Sequence, residues 1–344
     1  MRAMVFRGRA GSGAPGVLAL EERPDPVPRA GEILVRVLVC GVCRTDLDLV
    51  DGRLAPANLT VVPGHQVVGR VAALGAGVAE PRMGERVGVA WIHSACGSCR
   101  WCVSGRENLC PDFVSTGCAH DGGYAELLTV PAPFAHPLPD DLDDLSAAPL
   151  LCAGAVGWRA LRLTGLTDGE PLGLTGFGAS AHLVLQLARW RYPRSAIYVF
   201  ARSPTERRFA LELGATWAGV STEPPPQPCA AIIDTTPAWT PVVDALEQLA
   251  PGGRLVINAI RKIPDDQKAM LRLDYASHLW MEREIKSVAN VSRLDVREIL
   301  VASVELGIRP TVSELPLERA NDALAALRRG EGVRGATVLR VASA

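Results

Sequence analysis

The chain has 344 residues, enough for two domains that each bury a core. Its 36 Lys and Arg against 37 Asp and Glu leave a net charge of -1, and no basic run marks nucleic acid or an anionic membrane surface, so the expected partner is a small molecule. No apolar stretch approaches the about 20 residues of a membrane span, the N-terminus MRAMVFRGRA shows no export signal, and the nine cysteines, an odd number, suit a reducing compartment; the expected location is the cytoplasm.

Ile33 to Cys40 reads as a buried strand, and VVGRVAALG and RVGVAWI add short apolar runs punctuated by Gly and Pro, a β-rich texture. Two chemically capable residues follow the first strand: Cys43 in GVCRTD and His65 in PGHQ. Cys40 and Cys43 form a C-x-x-C pair, but a redox pair should open a helix and Cys40 ends a strand, so a redox role is set aside. Trp91 and Ile92 are equally readable as pocket lining or core.

Next comes CGSCRWCVSGRENLC, with Cys96, Cys99, Cys102 and Cys110 spaced C-x2-C-x2-C-x7-C. Such spacing lets four thiolates close around one tetrahedral Zn(II) and leaves no position for water, so this metal should hold a loop and run no reaction. Beyond about residue 150 the texture alternates. PLGLTG, AIYVFA, AAIIDT and GRLVINA are β-like, while AHLVLQLARW, TERRFALELG and PVVDALEQLA have helical spacing, which predicts a parallel, doubly wound sheet. STEPPPQP reads as a surface loop, and ATVLRV near the C-terminus as a strand returning to the first domain. Cys118 and Cys229 read as packing residues.

The second half opens with Gly176-Phe177-Gly178-Ala179-Ser180-Ala181, after a strand and before a helix, which fits the dinucleotide turn G-x-G-x-x-G/A. Glycines let the backbone approach a pyrophosphate, and the helix N-terminus offers it N–H groups and a positive dipole end. About 20 residues on, where a carboxylate would bind the ribose of NAD, the chain has Ala201-Arg202-Ser203. Arg202 and Ser203 suit a 2'-phosphate, so NADP is expected ahead of NAD.

GVCRTD, PGHQVVGRV, the four-cysteine lobe, DGGYAE, LLCAG and GFGASAH occur in the order seen in zinc-dependent medium-chain alcohol dehydrogenases, and the chain resembles that family nearly end to end. The resemblance implies an α/β protein: a GroES-like β-rich catalytic domain, residues 1–152 and 291–344, interrupted by a doubly wound Rossmann domain, residues 153–290. It implies two zinc ions per chain, a homo-oligomer (dimer or tetramer) and an alcohol or aldehyde substrate reacting between the domains. Cys43, His65 and Cys152 match the catalytic zinc ligands, and Cys96, Cys99, Cys102 and Cys110 the structural site. Asp46 matches the carboxylate that orients the zinc-binding histidine, Thr45 the hydroxyl that hydrogen-bonds the reacting alcohol, and Arg334 a cofactor-contacting arginine. Two positions depart from the family's pattern: Gln66 stands where members often have Glu, and Asp48 where many have the histidine that passes the proton to solvent.

The expected reaction is hydride transfer between an alcohol and NAD(P), with zinc as Lewis acid and Thr45 carrying the proton. Two other classes keep the same glycine-rich turn. One is an NADP-dependent reductase of a conjugated C=C or C=N bond; the other is a non-catalytic NADP-binding protein with only the structural zinc. Metal count separates them, since two zincs per chain go with the dehydrogenase.

Overall fold

The valine-rich run Glu32–Val42 is the central strand of the first half, with Val35, Val37, Val39 and Cys40 wholly out of solvent. The structure is a computed structural model and describes residues 1–8, 16–56, 60–178, 180–308, 310–329 and 335–342. It divides into two compact units, Met1–Ala155 with Asn290–Ala344, and Val156–Ala289.

In the first unit a sheet runs in the order Val312–Pro316, Ala336–Arg340, Glu32–Val42, Val67–Leu74, Arg86–Val89 and Ala135–Pro137, and Leu127–Pro131 also pairs with Glu32–Val42. Eleven residues let the long strand serve three neighbours, and register shifts between Leu34 and Val35 and between Val37 and Val39 accommodate them. The C-terminal ATVLRV returns as the expected closing strand, Val338 opposite Gly41. Cys40 faces Val67 across an antiparallel pair, so the loops after Glu32–Val42 and before Val67–Leu74 leave the sheet at one end.

The second unit is a six-stranded, all-parallel sheet: Trp217–Gly219, Ile197–Phe200, Leu172–Thr175, Cys229–Asp234, Leu249–Ile257, Glu284–Ser287. Counted in chain order this is 3-2-1-4-5-6, the doubly wound arrangement whose direction reverses between Leu172–Thr175 and Cys229–Asp234. Helices Ala181–Arg191, Pro204–Glu212 and Thr240–Glu247 connect the strands where helical spacing predicts them. Phe200, Ile232, Leu246, Leu249 and Leu255 are buried in its core, where Trp217 meets Phe200 edge-on at 5.3 Å. Cys229 belongs to this core, as expected of a packing residue. The sequence gives no signal for Glu284–Ser287, whose four residues are all exposed and show no apolar alternation. No helix among the described residues is long and apolar enough to cross a membrane.

His136, on the short strand opposite Gly88, is buried, and neither ring nitrogen has a hydrogen-bond partner among the described residues. Burial, helped by Arg297 and Arg293, pushes its pKa down to about 3. A group depressed in this way contributes its full stability above the unfolded pKa of about 6.5 and loses it as pH falls toward the folded value, roughly 2–3 kcal/mol by pH 4.5. The melting temperature of His136→Leu should therefore fall less steeply than that of the wild type between pH 6.5 and 4.5; parallel curves would refute this account.

Candidate active site

Cys43 sits at the N-cap of the helix Arg44–Val50, where its Sγ takes the place of a serine hydroxyl and accepts from the Thr45 N–H at 3.3 Å. Asp46, at the third helical position, completes a reciprocal capping box by accepting from the Cys43 N–H at 2.9 Å. The same carboxylate, almost fully buried, accepts from the Gly64 N–H at 3.2 Å and lies 3.1 Å from His65 Nδ1. His65 Nε2 then faces Cys43 Sγ at 3.2 Å. Cys152 arrives from a π-helical turn, Leu150–Gly154, and the donor atoms of Cys43, His65 and Cys152 all lie within 4.8 Å of one another. A π turn often marks a functional position in a helix.

This donor set fits a divalent cation. A hydrogen bond from Cys152, aided by His65, brings the Cys43 thiol down to about 5 against the opposing effect of burial. Cys152, half-buried and donating its thiol hydrogen bond to Cys43, is held well above the ordinary thiol range by that bond and by desolvation. Burial alone would lower His65, but the Cys43 thiolate and Asp46 outweigh it and hold the imidazole well above its usual value. The cluster thus attracts positive charge to its centre.

Around it, Thr45 is buried on the first turn of the helix and Trp91 meets the His65 ring edge-on at 4.9 Å. Ile92 is wholly buried and belongs to the core. Gln66 is buried with its amide against Gly41, where an added Cβ would lie 2.7 Å from Oε1. Asp48 is engaged elsewhere, since Arg53 Nε donates to its Oδ1 at 2.6 Å. Cys40 is wholly buried, and burial pushes its thiol far up, which agrees with setting aside a redox pair with Cys43. Cys118 is buried with its thiol toward the Ala55 carbonyl at 3.6 Å. Tyr124, from DGGYAE, is a contact that spacing did not reveal: its ring packs on Gly64.

The four-cysteine lobe closes as its spacing predicts. Cys96, Cys99, Cys102 and Cys110 gather with sulfur separations of 3.8 Å (Cys96 to Cys102), 3.6 Å (Cys99 to Cys102) and 3.5 Å (Cys96 to Cys110). A tetrahedral ion with Zn–S bonds of about 2.3 Å sets its sulfurs about 3.8 Å apart, so the lobe fits that ion. All nine cysteines are free thiols.

In the second unit, Gly176 ends the first strand at φ +75°, and a Cβ there would lie 2.9 Å from Thr236 Cγ2. Gly178 is different: among the described residues nothing beyond its chain neighbours lies within 4 Å of where its Cβ would be, so its backbone faces open space. Ser180 and buried Ala181 begin the helix Ala181–Arg191, whose N-terminus has no side-chain cap. Ala179 and Arg334 lie outside the described residues. At the next strand's end Arg202 is exposed, while Ser203 caps the helix Pro204–Glu212 by accepting from the Glu206 N–H at 3.5 Å. That structural duty was legible in Ser203-Pro204-Thr205-Glu206, a capping-box pattern the reading for phosphate passed over.

Residues 29–140 match the family model of the alcohol dehydrogenase GroES-like domain. A probable alcohol dehydrogenase AdhA of Mycobacterium tuberculosis (strain CDC 1551 / Oshkosh) is 43% identical over 323 residues, covering 92% of this chain and 90% of that protein. The chain belongs to the zinc-dependent medium-chain alcohol dehydrogenase family. As an alcohol dehydrogenase it is an oxidoreductase of the alcohol–carbonyl couple. A cobalt- and zinc-bound thermostable alcohol dehydrogenase from Pyrobaculum aerophilum superposes on this dehydrogenase with a TM-score of 0.86 at 26% identity, covering 99% of both chains. A solved NAD-dependent alcohol dehydrogenase gives the same TM-score and identity, covering 99% of this chain and all of its own.

Gly64, at φ +99°, has no room for a side chain, because a Cβ would come 2.4 Å from the Tyr124 ring and 2.8 Å from Cys40 Sγ. Gly64→Ala should destabilise the fold by about 1–3 kcal/mol and loosen the loop that carries His65. Thermal unfolding checks it, and an unchanged melting temperature would show that the close approach is easily relieved.

Proposed function

We propose that this alcohol dehydrogenase carries two zinc ions, one held by Cys43, His65 and Cys152 and one by Cys96, Cys99, Cys102 and Cys110, and moves hydride between a small alcohol and NADP. The observation that carries the reading is the meeting of Cys43, His65 and Cys152, from three distant parts of the sequence, with all three donor atoms inside 4.8 Å. Zinc at this group supplies Lewis acidity toward a substrate oxygen, and nicotinamide supplies the hydride acceptor or donor.

The chain's own residues do the rest. Asp46 fixes the His65 ring and its tautomer. Thr45, two positions from Cys43, would accept the alcohol's hydrogen bond and relay its proton, giving up its own hydroxyl proton to water. Trp91, edge-on to His65, favours an apolar substrate. Asp48 stays with Arg53, so the proton's route beyond Thr45 does not use a free Asp48 carboxylate. That engagement also keeps a second reading in view, reduction of a conjugated C=C or C=N bond, which makes less use of an alcohol proton relay.

In this reading residues 1–152 and 291–344 form the catalytic domain and 153–290 the dinucleotide domain. Gly176, Gly178, Ala179, Ser180 and Ala181 cradle the pyrophosphate; Arg202, Ser203 and Arg334 serve the rest of the dinucleotide. Open space above Gly178 and the exposed Arg202 support the assignment. Nine free thiols suit the cytoplasm. Exposed Trp280 and Met281, beside the edge strand Glu284–Ser287, offer a surface for a dimer or tetramer.

Metal analysis and rates over alcohols, aldehydes and enones test the proposal together. Cys43→Ala should lower the zinc count from two to one per chain and remove almost all turnover, while the fold is kept because the closed four-cysteine shell is untouched. Full activity with one zinc would sink zinc-assisted hydride transfer.

The nucleotide choice has its own test. A charge-assisted contact of about 1.5–3 kcal/mol with the 2'-phosphate corresponds to about ten- to a hundredfold in kcat/KM. The wild type should favour NADP by that order, and Arg202→Ala should weaken NADP far more than NAD. Equal losses on both, in an enzyme that prefers NAD, would mean that Arg202 does not read the phosphate.

A further inference from the structure

One buried ion pair lies outside the machinery described above. Asp234 is wholly out of solvent at the end of the strand Cys229–Asp234, and the side chain of Lys262, only 7% exposed, contacts its Oδ2. Lys262 Nζ also donates to the carbonyls of Thr236 at 2.7 Å and Ala238 at 3.0 Å, so its three donors are all used. The other carboxylate oxygen, Oδ1, accepts from the Thr175 hydroxyl at 2.6 Å, the Thr236 hydroxyl at 2.8 Å and the Thr236 N–H at 3.3 Å. Thr235 closes the set: its N–H and hydroxyl donate to the Thr175 carbonyl at 3.0 and 2.9 Å.

The place of this network decides its meaning. Thr175 and Asp234 are paired residues at the ends of the two strands between which the sheet reverses direction, and in such sheets a ligand binds beyond those ends. Gly176 follows Thr175, and the segment the lysine holds is the one the glycine packs against, at 2.9 Å from Thr236 Cγ2 and 3.1 Å from Thr235 Oγ1 to an added Cβ. A buried lysine with every proton committed has none left for a ligand. It can act only by holding others.

We propose that Lys262 is a positioning residue for the dinucleotide: through Asp234 it pins residues 235–238 against Gly176 and so fixes the turn on which the pyrophosphate rests. The proposal depends on the dinucleotide reading given above. Removing the lysine alone would strand a buried carboxylate, so the test uses Lys262→Met with Asp234→Asn, where the asparagine oxygen can still accept from Thr175 and Thr236.

Dissociation constants for NADPH and NADH, read by cofactor fluorescence well below the melting temperature, should rise ten- to a hundredfold in the double variant while its zinc content stays at the wild-type value. At saturating cofactor kcat should stay within about threefold, so that the effect falls on cofactor KM. Thr236→Val, which removes one hydroxyl from the network and keeps the ion pair, should weaken both nucleotides three- to tenfold and stands as the deciding variant should the double variant not fold. A lower melting temperature with unchanged dissociation constants would reduce the pair to a structural one and overturn the proposal. Wild-type protein that binds neither nucleotide would refute the dinucleotide reading itself, and the proposal with it, whereas binding equal in wild type and variants refutes only the role of Lys262.

Discussion

One buried carboxylate organises the end of the first unit where Cys43, His65 and Cys152 meet. Asp46 holds the Cys43 N–H, the Gly64 N–H and the His65 ring at once, and so ties together two loops that carry candidate ligands. Sheet register makes the arrangement reachable. Cys40 opposite Val67 puts residue 43 one step past the end of one strand and residue 65 two steps before the start of the other, at the same end of the sheet. Without Asp46 the helix would lose half of its capping box and His65 its orienting group in the same event. Desolvating this carboxylate is offset by these partners, since an unpaired buried charge would cost several kcal/mol.

The charge balance at this end of the sheet suits a metal. Three acidic groups, Cys43, Cys152 and Asp46, surround one imidazole. With protons alone, the two thiols compete: the hydrogen bond that brings Cys43 down to about 5 holds Cys152 far above its usual range. A divalent cation lets both sulfurs ionise and frees His65 to be neutral. The other cluster solves the same problem without a histidine. There, backbone N–H groups of Cys99 and Cys96 donate to the sulfurs of Cys96 and Cys110, an arrangement local to one short lobe.

Locality separates what could be read in the sequence from what could not. The four-cysteine lobe, the glycine-rich turn and the alternating strands and helices of the second half are contained in short windows, and each is found where its pattern places it. Cys152 could be named only through the family resemblance, because its meeting with Cys43 and His65 is a long-range contact delivered by a π turn that leaves no periodic signature. The engagement of Asp48 by Arg53 and the burial of Lys262 against Asp234 depend on side chains folding back over several residues or between strand ends. Ser203 shows the opposite case: its capping pattern with Glu206 is local and stands in the sequence. Its oxygen is committed to the helix, while Arg202 beside it is exposed.

The two glycines of the turn carry different information for the same reason. At Gly176 the chain itself forbids a side chain, through Thr235 and Thr236 on the neighbouring strand end and through a positive φ. A packing requirement is sufficient there, and no ligand need be invoked. At Gly178 no atom of the described residues beyond its chain neighbours stands within 4 Å of where a Cβ would lie, so that space is open. A pyrophosphate approaching bare backbone at the uncapped start of Ala181–Arg191 fits that space, because the helix end supplies N–H groups and a positive dipole where the phosphate charge would lie. The first glycine therefore reports on how the Rossmann sheet closes, and the second leaves open backbone at the start of the helix.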